Sequence, residues 1–384
     1  MSGPLSGVRV IEMAGIGPGP FACMLLADMG AEVIRVDRIS GGMSMGANPA
    51  DVMGRGRRSV AVNLKDPAGV ATVIKLIESA DVLIEGFRPG VMEKLGLGPD
   101  VCLQHNQKLV YGRMTGWGQD GPLSQAAGHD INYIAITGAL DAIGRKDSGP
   151  VPPLNLVGDF GGGSMYLCMG ILAALFEAQK SAKGQVVDVA ITDGVISLMA
   201  AMQGFQAMGM WSPEQRQNNM LDGGAHYYDT YECADGKYIC IGSIEPQFYA
   251  LLIEKLGVDI GEPGFHQQIE KELWSQYKPA VTEAFKQKTR EQWCEIMEGT
   301  DICFAPVLNM DEAPKHPHNI ARKSFVEIDG VVQTAPAPRF SRTPGEIGGA
   351  AVAAGQNSTE VLIGIGLADQ DIADLLASGA IVQS

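Results

Sequence analysis

The sequence is poor in the features that direct a chain to a membrane, out of the cell or onto nucleic acid. Cysteine is sparse: Cys23, Cys102, Cys168, Cys233, Cys240, Cys294 and Cys303 are an odd seven with no CxxC pair, which indicates neither a disulfide framework nor a zinc site and points to a reducing compartment. Positive charge is scarce too, with 29 Lys and Arg against 44 Asp and Glu and a formal net charge of −15. That balance disfavours nucleic acid or an anionic membrane as the main partner, while a local basic patch can still hold an anionic small molecule. No apolar run reads as long enough to span a bilayer; GILAALF is the length of a core helix. MSGPLSGVRVIEMAG has no charged start followed by an apolar run, so it does not read as a signal peptide, and the terminal IVQS is not the peroxisomal SKL. A cytoplasmic protein is expected.

What is present supports a substantial core: 384 residues, 46% of them hydrophobic and 19% charged, long enough for two domains. In the first hundred residues, β-rich runs (VRVIEMA, AEVIRVDR, VAVNL, ADVLIEGF) alternate with helical stretches (FACMLLADMG, DPAGVATVIKLIESA), and LVYGRMTGWG adds another strand. Apolar strands flanked by helices predict a parallel sheet covered on both faces. From Gly128 to about Ala201 the pattern is mainly helical, interrupted by VVDVAIT, and SLMAAMQGFQAMGMW continues it as a long methionine-loaded helix. YYDTYECADGKYICIG, turning at Asp235-Gly236, reads as a hairpin, and amphipathic helices follow it. The expected division is a large α/β domain over 1–200, a linker helix over 201–224, a small α+β domain over 225–325, and a Pro- and Gly-rich strap over 326–384 ending in one short helix.

Two motifs invite a ligand. Gly15 to Pro20 follows a strand and opens a helix, with Asp37 ending the next strand, as in a dinucleotide fingerprint. Pro stands at position 20 where that pattern requires Gly, and Pro18 and Pro20 remove N–H donors a pyrophosphate would use. A tight turn into a closely packed helix is the better reading. The second motif is basic: Arg55, Arg57 and Arg58 precede VAVNLK, while Arg38, Lys65, Arg88 and Lys94 fall near element ends. Ligands of open parallel sheets gather outside the carboxyl ends of the strands. Guanidinium and ammonium groups there suit a phosphorylated ligand. Each of these residues taken alone reads first as a solvated surface charge.

Longer segments carry a resemblance. RGRRSVAVNLKDP, ADVLIEGFRPGVMEKLGLG, GRMTGWGQDGP, GHDINYIAITGAL, PPLNLVGDFGGGSMYL and KGQVVDVAITDG together resemble the α-methylacyl-CoA racemases, within the family III CoA-transferase fold, from the N-terminal PLSGVRVIEMAGIGPGP to APRFSRTPG. The resemblance implies a large Rossmann-like parallel-sheet domain, a small α+β domain and an interlocked homodimer, with each active site between the large domain of one subunit and the small domain of the other. It implies an acyl-CoA thioester as substrate and no metal or external cofactor. It also implies that CoA lies against Arg38, Arg55, Val62, Asn63, Leu64, Lys65, Gly86, Phe87, Arg88, Lys94, Gly128, Asp130 and Tyr133.

Inverting the carbon beside a thioester requires a base on one face, an acid on the other and donors for the developing enolate oxygen. The resemblance assigns proton transfer to His129, in GHD, and Asp159, in LVGDFGGG, and gives Glu245, in IGSIEPQF, the orientation of the histidine. The local patterns are compatible with those roles. His129 precedes an apolar helical run, so it stands at a helix start where the dipole disfavours imidazolium and the N–H of Asp130 can meet an enolate. Asp159 precedes Gly161, Gly162 and Gly163, where backbone and thioester can approach closely. An aspartate that must be protonated for part of the cycle requires a desolvated setting, because an exposed one titrates near about 3.9. Without the resemblance, His129 and Asp159 read first as helix-start residues, and Glu245-Pro246 reads as the opening of another helix. Seven of the eighteen methionines, from Met165 to Met220, crowd one third of the chain; they suit a tolerant acyl surface or plain core.

A CoA-transferase of the same fold, with Asp159 as nucleophile, is the nearest alternative. His129 and Glu245 favour the racemase, and GSIEPQF shows no glycine-rich loop of the transferase kind. A non-catalytic CoA-binding protein and an NAD-dependent oxidoreductase rank lower.

Overall fold

The computed structural model describes residues 3–39, 48–260 and 268–384. They divide into two compact units, one of 1–137, 154–198 and 323–384, the other of 138–153 and 199–322.

The first unit is built on a seven-stranded sheet. Its strands are β1 (Arg9–Met13), β2 (Glu32–Arg38), β3 (Arg57–Val62), β4 (Val82–Glu85), β5 (Val110–Thr115) and β6 (Gln185–Ala190), in spatial order 3-2-1-4-5-6. These six run parallel, and a C-terminal strand, Ile381–Val382, lies antiparallel on the β3 edge. The order reverses between β1 and β4, and a crevice opens at the carboxyl end of such a reversal. Because strand side chains alternate, Ile11, Met13, Ile34, Val36, Val60, Val62, Leu83 and Tyr111 all turn to one face, where they pack on the Pro67–Glu78 helix. On the other face, a methyl group added at Gly112 would meet Leu167 and Ile171 of the Met165–Ser181 helix.

The RGRR run belongs to this scaffold, not to a ligand patch. Arg55, 1% exposed, pairs with Asp28 at 2.5 Å and donates to Gln333 Oε1 and the Thr334 carbonyl at 2.8 Å each. Arg57 is buried against Glu12 at 2.7 Å, and Arg58 pairs with Glu32 and Glu360. Arg55, expected at CoA, is thus buried with four of its five N–H groups held within the fold. A sequence shows that cations cluster but not that acids from four distant segments meet them.

Three further expectations are corrected. The long helix continuing to residue 224 is absent: helices Ile191–Leu198 and Ala200–Ala207 are separate, and Gly209 at φ 74 begins a loop. That loop is held by Asp222, whose carboxylate accepts the N–H groups of Asn218 and Asn219. The strap contains a hairpin (Phe325–Ile328 and Val331–Thr334), helices Ser358–Gly364 and Asp369–Ser378, and the strand that completes the sheet edge. Leu156–Ser181 forms 26 continuous helical residues, long and apolar enough to cross a membrane by length and composition. Its inner residues Leu167, Ile171 and Ala174 are buried, while Met165, Met169 and Phe176 are exposed.

In the second unit β7 (Tyr228–Glu232) and β8 (Tyr238–Gly242) form the expected hairpin, with Gly236 at φ 72 in its turn, and β9 (Phe304–Pro306) joins β8. Residues 138–153 pack here, tied by Arg145 to Asp229 at 2.5 Å and by Asp141 to Arg216 at 2.9 Å. His226 is wholly buried among Tyr227, Tyr249 and Tyr277; its Nε2 meets the Tyr249 hydroxyl at 2.7 Å and its Nδ1 has no partner among the described residues. Burial, and then the Lys278 charge, pull its titration down to about 4. The unfolded chain takes up that proton near about 6.5 while the folded one does not, so stability falls as pH drops from about 6.5 to about 4, by on the order of 3 kcal/mol in all. Urea unfolding at several pH values, followed by tryptophan emission, measures this. In His226→Gln the slope across that window flattens.

Candidate active site

Three turns meet at the carboxyl edge around the β1–β4 reversal. After β1, Gly17 takes φ 71 and leads into the Pro18–Asp28 helix. After β4 come Gly86, Phe87 and Arg88; the Phe87 N–H donates to Glu85 Oε2 at 2.7 Å, and the Arg38 guanidinium, from the end of β2, lies 6.0 Å from the Phe87 ring centre. After β5, the Trp117 ring stands edge-on to Tyr133 at 4.8 Å. Asp37 is buried and accepts from Arg35 and Ser59, so no acid is left at the end of β2 for a ribose.

Asp159 does not precede a helix, as its sequence context predicts, but lies within one. Leu156–Ser164 is a π-helical turn running directly into Met165–Ser181. Such turns are rare, and they collect at functional sites because the widened backbone re-aims a side chain. The glycines that follow allow close helix packing. A Cβ at Gly194 would stand 1.9 Å from the Gly162 carbonyl oxygen, and one at Gly162 would stand 2.9 Å from Val195 N. The glycine that borders the carboxyl is Gly17, where a Cβ would lie 3.3 Å from Asp159 Oδ2.

Around Asp159, Asn155 Nδ2 approaches Oδ2 at 3.4 Å, the Asp159 N–H donates to Asp130 Oδ1 at 2.7 Å, and Ser164 Oγ lies 3.0 Å from its carbonyl and 2.8 Å from that of Pro18. Asp159 is half-buried. Desolvation, as the largest effect, raises its pKa; Asn155 and His129 oppose the rise, and the Asp130 charge adds to it. His129 is exposed and is the N-cap of the short Asp130–Ala135 helix, with its N–H on Asn132 Oδ1 at 3.0 Å. The Tyr133 hydroxyl donates to the Gly128 carbonyl, fixing the peptide ahead of His129. Burial and Asp159 push the Tyr133 phenol upward in pKa while Arg88 pulls it down. His129, Asp130, Tyr133, Asp159 and Arg88 thus share one locality.

The other expected contacts divide. Arg38, Lys65, Gly86, Arg88 and Lys94 are exposed, and Phe87 and Leu64 are partly buried. Val62 is core, 1% exposed, and the Asn63 N–H is bonded to the Ala380 carbonyl at 2.8 Å. Glu245 stands in the second unit, exposed, before the Pro246–Leu256 helix, with its carbonyl accepting from Phe248 and Tyr249. Among the described residues, no group of three or more His, Cys, Asp or Glu is placed to hold a metal. Sequence reasoning overlooked Asn155 and Trp117. Asn155 was within reach, four residues before Asp159 on a helical path; Trp117 finds Tyr133 only through the tertiary fold.

The sequence profile of CoA-transferase family III matches residues 5–358. The chain belongs to this family. Among its relatives, the alpha-methylacyl-CoA racemase of Mus musculus is 45% identical over 383 residues, covering 99% of this chain and 98% of its own. That of Homo sapiens is 43% identical over 341 residues, covering 88% and 87%. Succinyl-CoA–D-citramalate CoA-transferase of Chloroflexus aurantiacus is 30% identical over 398 residues, covering 98% of each chain. The crystal structure of a CAIB/BAIF family protein from Brucella suis aligns with a TM-score of 0.81, covering 95% of this chain and 100% of that one at 23% identity, a likeness of fold.

An aspartate with a raised folded-state pKa is ionised at neutral pH at a cost to stability, because the unfolded chain solvates the charge better. Asp159→Asn therefore raises the melting temperature at pH 7. The gain shrinks as pH falls toward about 3.9, where the unfolded aspartate is protonated too. Scanning calorimetry at pH 7 and pH 4 reads the difference.

Proposed function

We propose that this family III protein is an α-methylacyl-CoA racemase, interconverting (2R)- and (2S)-2-methylacyl-CoA by 1,1-proton transfer at Cα. The observation that carries the reading is a partly desolvated Asp159 in the same locality as an exposed His129, at the carboxyl edge of the sheet. The racemase names of relatives at 45% and 43% identity support it. In one direction the neutral His129 imidazole takes the Cα proton, the electron pair moves into the thioester carbonyl as an enolate, and the Asp159 carboxylic acid protonates the opposite face. In the other direction the Asp159 carboxylate abstracts and the imidazolium donates. A raised aspartate pKa serves both directions, since each form must be reachable near neutrality. The exposed Arg38, Lys65, Arg88 and Lys94 are the proposed cations for the CoA phosphates, with Gly86, Phe87, Gly128 and Tyr133 beside the thioester arm. The reaction requires no redox or electrophilic cofactor, because both proton carriers are side chains.

Glu245 completes the set in this reading as the carboxylate that fixes the tautomer and ring angle of His129. A homodimer is part of the same proposal. Met165, Met169, Phe176, Ile196 and Leu198, 44–61% exposed on helices of the first unit, form an apolar surface of the kind a second copy covers. A reducing cytoplasm suits the free cysteines.

A CoA-transferase reading has transferase relatives in its favour, that of Chloroflexus aurantiacus at 30% identity among them; there Asp159 would attack the thioester. Incubation of the protein in deuterated water with a single enantiomer of a 2-methylacyl-CoA separates the two. Deuterium at Cα without added carboxylate is the expected result, and in His129→Ala, with CoA binding retained, it falls more than about a hundredfold for the enantiomer whose Cα proton the imidazole removes. Acyl transfer that depends on a carboxylate acceptor, with no label at Cα, would overturn the proposal.

A further inference from the structure

Asp130 follows His129 in sequence, yet its side chain turns away from solvent toward the π-helical turn. Only 8% of the residue is exposed. Its Oδ1 accepts the N–H of Asp159 at 2.7 Å. Among the described residues no cation pairs with it. A buried carboxylate with no counter-ion is costly; burial raises the Asp130 pKa, and the backbone donor opposes the rise. Gly158 makes the contact possible: a Cβ there would stand 2.1 Å from Asp130 Oδ1 and 3.0 Å from Ile134. One carboxylate therefore ties the start of the helix that carries His129 to the backbone that carries Asp159.

We infer that Asp130 is a positioning residue for the proposed proton transfer: by holding the N–H of Asp159, its carboxylate sets the Asp159 side chain in register with the helix start at His129. The inference rests on the racemase reading and adds a side-chain role to the CoA contact and the enolate-facing N–H expected of Asp130. Two consequences follow from the geometry. Without the clamp the π-helical turn loses its link to His129, and a displacement of about an ångström at a reacting group costs about a hundredfold in rate. Without the charge, Asp159 loses a negative neighbour that disfavours its own ionisation. The other titratable groups that bear on Asp159 are His129 and Tyr133. On the elements packed around it, Asp28 and Arg113 are in ion pairs, and Asp188 and Asp193 are exposed.

The test compares Asp130→Ala and Asp130→Asn with the full-length wild type, using Cα deuterium exchange on each enantiomer across pH. In Asp130→Ala, kcat falls about tenfold to a hundredfold with KM nearly unchanged. Asp130→Asn retains an acceptor oxygen and recovers much of that rate. In both variants the limb of the pH profile belonging to Asp159 moves to lower pH, which a purely structural role would not produce. Circular dichroism checks the fold, and if Asp130→Ala does not fold, Asp130→Asn decides by its limb. Wild-type rates and limbs in the variants, or a loss confined to KM, overturn the inference. A wild type that exchanges no Cα proton overturns the racemase reading instead, so the two failures are distinguishable.

Discussion

The chemistry at this site depends on a carboxyl group that is partly withdrawn from water while the backbone beneath it is held on several sides. Asp159 meets that demand because it lies inside a π-helical turn and not in a loop. The glycines of that turn let the Ile191–Leu198 helix come within backbone contact, since a side chain at Gly162 or Gly194 would collide with main-chain atoms. Gly17 clears the space beside the carboxyl itself. The glycine-rich run thus holds the turn rigid, and rigidity is what keeps a desolvated acid from relaxing toward solvent.

The same logic governs the arginines. Arg55, Arg57 and Arg58 lie at the amino end of β3, and each closes an ion pair with an acid from another segment, two of them almost without exposure. A buried pair of this kind is worth little against a hydrophobic replacement but is costly to break. Its consequence here is architectural: Arg55 joins the Pro18–Asp28 helix to the late hairpin, and Arg57 joins β3 to β1. The edge that faces solvent is left to Arg38, Lys65, Arg88 and Lys94.

How much of this was legible in the sequence depends on the range of the interaction. The strands β1 to β5, the proline-led helices and the Asp235-Gly236 hairpin are local patterns, and all are found where periodicity and turn chemistry predict them. The failure of the dinucleotide fingerprint was legible too, since Pro18 and Pro20 remove donors wherever they stand, and the burial of Asp37 agrees. The destination of the RGRR cations was not legible, because their partners at positions 12, 28, 32 and 360 are remote in sequence. The π-helical turn was not legible either: LVGDFGGGS reads as a loop before a helix, and only packing against neighbouring helices makes it continuous. At the site, the resemblance supplied the identities of His129 and Asp159. The Asp130 clamp, which depends on where one buried side chain turns, was invisible to both pattern and resemblance.

The central claim is that two different side chains serve the two faces of one carbon, and half-reactions of single-site variants test it most directly. Asp159→Asn and His129→Gln are each given the separate 2R and 2S thioesters in deuterated water, and label is followed by mass alongside chiral analysis. The account predicts that each variant still exchanges the Cα proton of one enantiomer, a different one for each variant, while inversion is lost in both. Equal exchange of both enantiomers in either variant, or inversion that survives the loss of Asp159, would contradict it.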